Sequence, residues 1–91
     1  MTSRIIVSVT QRDIDVAESM PRVPSLLPIL CPVARALRRH RPFRRAMVTS
    51  FGRVLGSDYN ILAPVRVRKF VRAFDQGRPV EPFAFEIEVP A

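Results

Sequence analysis

Ninety-one residues are enough for one compact domain and exclude two with separate cores, so residues 1–91 are read as a single unit. Apolar residues at 47% argue against a disordered chain, and the lone Cys31 excludes an internal disulfide framework. The net charge of +7 is concentrated, because the segment Arg35 to Arg72 carries eleven Lys/Arg against Asp58 alone.

In chain order, Arg4 to Val9 alternates, with Ile5, Val7 and Val9 on one face and Ile6 and Ser8 on the other, which predicts a strand. This apolar run is too short for a signal-peptide core or a spanning helix, so no membrane partner is expected. Thr10 with Asp13 three residues on forms a variant of the capping box and predicts a helix over about 11–18, leaving Asp13, Asp15 and Glu18 largely solvated. Met20 to Pro32 holds Pro21, Pro24, Pro28 and Pro32 and reads as an ordered loop. Its apolar stretch of Leu26, Leu27, Ile29 and Leu30 must close over the core or make a subunit contact.

Pro32 suits the first turn of a second helix, in which Val33, Ala36, Leu37 and His40 form the buried stripe. That helix is expected to reach Arg39 or His40, and Pro42 prevents its continuation. Its outer side carries Arg35, Arg38 and Arg39, and Arg41, Arg44 and Arg45 continue the charge beyond it. Ala46–Leu55 and Asp58–Leu62 read as two strands of a hairpin joined at Gly56-Ser57, with Gly52 as a bulge. Pro64 opens a third helix in which Val67, Phe70, Val71 and Phe74 face inward and Gly77 supplies the stop. Arg66, Lys69 and, slightly rotated, Arg68 and Arg72 make its outer face basic. Phe83 to Val89 alternates strictly and reads as a half-buried strand. The expected fold is α+β, a small and mostly antiparallel sheet with helices on one face, in the order β-α-α-β-β-α-β.

Catalysis needs a nucleophile with a base, paired carboxylates or a metal cage, and no motif here supplies one. His40 reads as a packed or helix-end residue, Cys31 as a buried thiol, and Glu86 and Glu88 as a solvated strand face; neither enzymatic activity nor a cofactor is expected. The arginine block points elsewhere. A guanidinium fork grips phosphate oxygens in pairs, and eleven cations with one nearby carboxylate repel each other unless an anion relieves them. Arg35, Arg38, Arg39, Arg66, Lys69 and Arg72 are therefore the candidate ligand-binding residues, for a nucleotide or a nucleic acid as the anionic partner. A core this small leaves a surplus of only ~3–5 kcal/mol, so a homo-oligomer is expected as well.

Three stretches, Val9-Thr-Gln-Arg-Asp-Ile-Asp, Cys31-Pro-Val-Ala-Arg-Ala-Leu and Phe70-Val-Arg-Ala-Phe-Asp-Gln-Gly-Arg-Pro-Val-Glu-Pro-Phe-Ala-Phe-Glu, occur in that order and cover about a third of the chain. In these the chain resembles short proteins of bacteriophages and prophages. The resemblance implies a phage context, in the cytoplasm of an infected or lysogenic bacterial host, and assigns no role to individual residues. In that context the expected function is sequestration of a nucleotide immune signal to counter host defence. The alternatives are a nucleic-acid-binding accessory protein and a protein-protein inhibitor of a host defence factor.

Overall fold

A computed structural model of the chain describes residues 3–21, 23 and 25–89. Pro24, one of the prolines of the long loop, lies outside the described residues. The elements are β1 (Arg4–Val9), α1 (Gln11–Ser19), α2 (Leu27–Leu30), α3 (Pro32–Leu37), a 3-10 turn at Arg41–Phe43, β2 (Met47–Val48), β3 (Arg53–Leu55), β4 (Asn60–Leu62), α4 (Val65–Asp75) and β5 (Phe83–Glu88). The α+β class and the antiparallel pairing follow the sequence pattern.

The first and last strands lie side by side. β1 pairs antiparallel with β5, in a register running from Arg4 opposite Glu88 to Val9 opposite Phe83. Val7, Val9, Phe85 and Ile87 are buried while Ile6, Ala84 and Glu86 are exposed, the alternation expected of a sheet covered on one side. β2, β3 and β4 form a second antiparallel sheet, so the chain builds two small sheets where the pattern predicts one. The cause is local, because Ala46–Leu55 is not one strand. It is broken by a turn over 49–52, in which the Gly52 N–H donates to the Thr49 carbonyl at 2.9 Å and Gly52 adopts φ +80°. A left-handed backbone at that point ends the ladder that a bulge would have continued.

α1 begins with the reciprocal cap the sequence announces. The Asp13 N–H donates to Thr10 Oγ1 at 3.2 Å, and the Thr10 N–H donates to Asp13 Oδ2 at 2.9 Å. The proline-rich loop contains one helical turn, α2, that packs on α3 and β2. Leu27 and Leu30 are partly covered there, whereas Leu26 and Ile29 stay exposed. α3 is shorter than its stripe predicts and ends at Leu37; His40 instead caps the 3-10 turn, whose Pro42 cannot donate to a continuing α-helix. α4 closes the other side of the core through Val67, Phe70, Val71 and Phe74, and Gly77 at φ +73° terminates it as expected. Phe70 also packs on Phe83, with ring centroids 4.8 Å apart, which joins α4 to β5. Val33, Leu37, Phe43, Val48, Val54 and Val67 are fully enclosed between these layers. Burying each such side chain contributes about 1.5–3 kcal/mol.

Candidate functional site

The outer arginines of α3 are engaged inside the protein. Asp13 is not solvated, contrary to the helical pattern; it is 1% exposed and lies beneath the guanidinium groups of Arg35 and Arg39. Arg39 grips it in a fork, Nη1 donating to Oδ1 at 2.6 Å and Nη2 to Oδ2 at 2.8 Å, and Arg35 Nε donates to Oδ1 at 3.1 Å. Arg39 Nη2 also donates to the Ser8 carbonyl at 2.7 Å, so one side chain ties α3 to both α1 and β1. Burial alone would raise the Asp13 pKa, but the Arg39 bonds and the capping bonds of Thr10 outweigh it and hold the carboxyl at about 2. The Arg39 pKa is raised in turn by its bond to Asp13. Arg38 donates to the carbonyls of Ala46 and Ile29, at 3.1 and 2.8 Å, and burial lowers its pKa. These three side chains hold together the α1–α3 half of the molecule.

The cations of α4 are placed differently. Its buried stripe turns Arg66, Lys69 and Arg72 outward, and none of the three donates a hydrogen bond or forms an ion pair among the described residues. Arg68 Nε donates to the Ala63 carbonyl at 3.1 Å, which fixes it at the start of the helix. Lys69 and Arg72 line a groove of about 520 Å³ together with Arg68, Gln76, Ser50, Phe51 and Val65, and Asp75 adds one carboxylate to its wall. The Phe51 ring is 83% exposed, the most exposed large apolar side chain of the molecule among those described. It sits at this position because of Gly52. A Cβ at residue 52 would lie 2.2 Å from Arg68 Cγ, so only glycine lets the 49–52 turn approach α4 so closely. The turn is further fixed by Arg53 N–H donating to Thr49 Oγ1 at 3.1 Å and Ala63 N–H donating to the Gly52 carbonyl at 3.0 Å.

A second groove flanks α4, of about 410 Å³, between Arg66, Lys69 and Phe70 on the helix and Glu81, Pro82 and Phe83 before β5. There the Arg66 guanidinium lies 5.7 Å from the centre of the Phe83 ring. Each groove carries one carboxylate, Glu81 here and Asp75 in the first, where it stands against the three cations Arg68, Lys69 and Arg72. Neither groove is lined by Arg35, Arg38 or Arg39. The six residues singled out in the sequence thus divide into an internally bonded set on α3 and an unpaired set on α4.

The remaining chemical candidates are embedded in structure. Cys31 is buried, and loss of solvation pushes its thiol up to about 11, so it stays protonated at neutral pH. Glu86 and Glu88 are exposed and flank Arg4, at 4.0 and 3.5 Å. Among the described residues no group of three or more His, Cys, Asp or Glu side chains is placed to hold a metal ion, and no helix is long and apolar enough to cross a membrane.

Sequence reasoning missed Phe51, which fell inside a predicted strand. The signal was present in Thr49-Ser-Phe-Gly, a cluster of turn formers that interrupts the apolar alternation.

Fold and grooves together define a small basic α+β domain with an aromatic residue set beside unpaired cations. No protein-family model, curated protein or solved structure matches the chain.

Proposed function

We propose that the protein is a non-enzymatic binding module that holds a phosphate-bearing nucleotide in the groove between α4 and the 49–52 turn. The observation that carries this reading is the juxtaposition of an exposed Phe51 ring with Lys69 and Arg72. A nucleotide has a flat π-face and a charged tail, and the groove offers a stacking surface and two cations for them. An aromatic ring held in water on the 49–52 turn has no packing role to explain it, and two cations without partners among the described residues can meet a phosphate without first breaking an ion pair. In the phage context implied by the resemblance, a module of this kind counters host defence by sequestering a nucleotide signal, provided it is made in excess over that signal.

Single-stranded nucleic acid is the second reading, favoured by the further exposed arginines Arg41, Arg44, Arg45 and Arg53 outside the groove. Titration against cyclic and linear nucleotides and against single strands, at about 50 and 200 mM salt, separates the two. A single nucleotide saturates at fixed stoichiometry with a shallow salt dependence. A strand shows a steep one, in proportion to the phosphates contacted. In either case Lys69→Ala/Arg72→Ala weakens binding by about a hundredfold or more, at about 1.5 kcal/mol or above for each of the two charge-assisted contacts. Unchanged affinity in that variant refutes the assignment.

A further inference from the structure

A second concave surface, separate from α4, lies between the 3-10 turn and the β3–β4 turn. It encloses about 190 Å³ and is lined by Arg41, Pro42, Arg44, Arg45, Ser57 and Tyr59. We infer that this cleft is a compact oxyanion site, which takes the phosphoryl group of a phosphomonoester or free inorganic phosphate.

The chemistry of the lining is one-sided. None of the three guanidinium groups donates to a protein acceptor or forms an ion pair among the described residues. Asp58 stands between Ser57 and Tyr59 in the chain, yet it neither lines the cleft nor forms an ion pair with these arginines. Counting it, the immediate charge is still +2. Three like charges around one small space repel each other, and an anion held among them relieves this directly. Arg41 opens the 3-10 turn and Arg44 caps its end three residues on, so their origins lie one turn apart on the same side even though the side chains are long.

The opposite wall supplies hydroxyl donors, and one of them is held in place by packing. The Tyr59 ring meets Phe43 edge-on, with centroids 5.5 Å apart, and Phe43 is fully buried. Beneath it lies Gly56, where a Cβ would come within 2.2 Å of the ring and 2.6 Å of the phenol oxygen. The seat of Tyr59 therefore requires glycine. Partial burial raises the phenol pKa, which keeps it a neutral donor at physiological pH. Two hydroxyls and three guanidinium forks around one cavity form a donor set for a tetrahedral oxyanion and contain no acceptor charge that would suit a cation. The volume equals about six waters, enough for a phosphoryl group and a partial hydration shell but too small to enclose a nucleoside. The site does not depend on the α4 groove, and either can fail without the other.

The test is an NMR titration of the full chain with inorganic phosphate and with ribose 5-phosphate, at constant ionic strength with chloride as the replaced anion. Saturable shifts confined to residues 41–45 and 57–59, weakened at least tenfold in Arg44→Gln/Arg45→Gln and several-fold in Tyr59→Phe, establish the site. Lys69→Ala/Arg72→Ala leaves these shifts unchanged. Because Arg44 and Arg45 are exposed, their replacement leaves the rest of the spectrum in place, and Tyr59→Phe keeps the ring on its seat. Tighter binding of ribose 5-phosphate assigns the cleft to the end group of an organic phosphate; equal binding assigns it to the free ion. Shifts spread evenly over all basic segments, or a Kd unchanged in Arg44→Gln/Arg45→Gln, overturn the inference.

Discussion

Replacing Asp13 by Asn tests the innermost polar contact of the fold with almost no change in shape. The carboxylate accepts from Thr10, Arg35 and twice from Arg39. An amide keeps one acceptor and turns an NH₂ group toward a guanidinium, so at least one charge-assisted bond of about 1.5–3 kcal/mol is lost. Arg35 and Arg39 are 38% and 46% exposed and regain water, which keeps the loss below that of a fully buried ion pair. A second route gives a similar size: holding the carboxyl at about 2 rather than 3.8 corresponds to about 2 kcal/mol. We expect Asp13→Asn to destabilise the domain by about 3 kcal/mol, which for a chain of this size lowers Tm by roughly 12–24 °C. Urea and thermal unfolding followed by circular dichroism measure both. The pH dependence has a fixed sign. Because the folded pKa is depressed, this stabilisation is present above about 4 and disappears as pH falls through about 2. The wild type therefore loses stability more steeply than Asp13→Asn between pH 4 and 2. A variant within about 0.5 kcal/mol of the wild type, or parallel acid limbs, would refute the role given to the carboxylate.

Phe51→Ala is expected to leave stability within about 0.5 kcal/mol, since the ring is solvated, and to weaken nucleotide binding by about 1–3 kcal/mol in isothermal titration. Gly52→Ala forces a side chain onto a left-handed backbone and into Arg68, and should cost at least ~2 kcal/mol in urea unfolding; an unaltered midpoint would show that the turn can move away from α4. Cys31 is expected to resist iodoacetamide at pH 8 in the native state and to react promptly in urea, because burial keeps its thiol protonated; equal labelling rates would contradict its enclosure.

What the sequence made legible was whatever is encoded over one or two turns of chain. The α4 stripe of Val67, Phe70, Val71 and Phe74 and the alternation of β5 are periodic, and the Thr10–Asp13 cap lies within four residues. The second role of Asp13 is not local, since its arginines lie 22 and 26 residues away, and a helical wheel of α1 carries no information about α3. The same limit hid the two-sheet arrangement. Gly52 is recognisable as an interruption, but bulge and turn differ only in a backbone angle that the close approach to Arg68 decides. On the candidate site, clustering of positive charge was readable and its division was not. Arg38 and Lys69 look alike as letters on a basic face, yet among the described residues one donates to two carbonyls and the other to none.

The pairing of Asp13 with Arg35 and Arg39 has a consequence for ligand choice. These arginines form an anion receptor whose guest is part of the same chain and is held in place by the cap of α1. A free phosphate competing for Arg39 meets a tethered rival at an effective concentration of about millimolar or more. The α3 receptor is thus closed to dilute anions while α1 stays docked, and the protein's capacity for external anions resides in the cations left without a tethered guest.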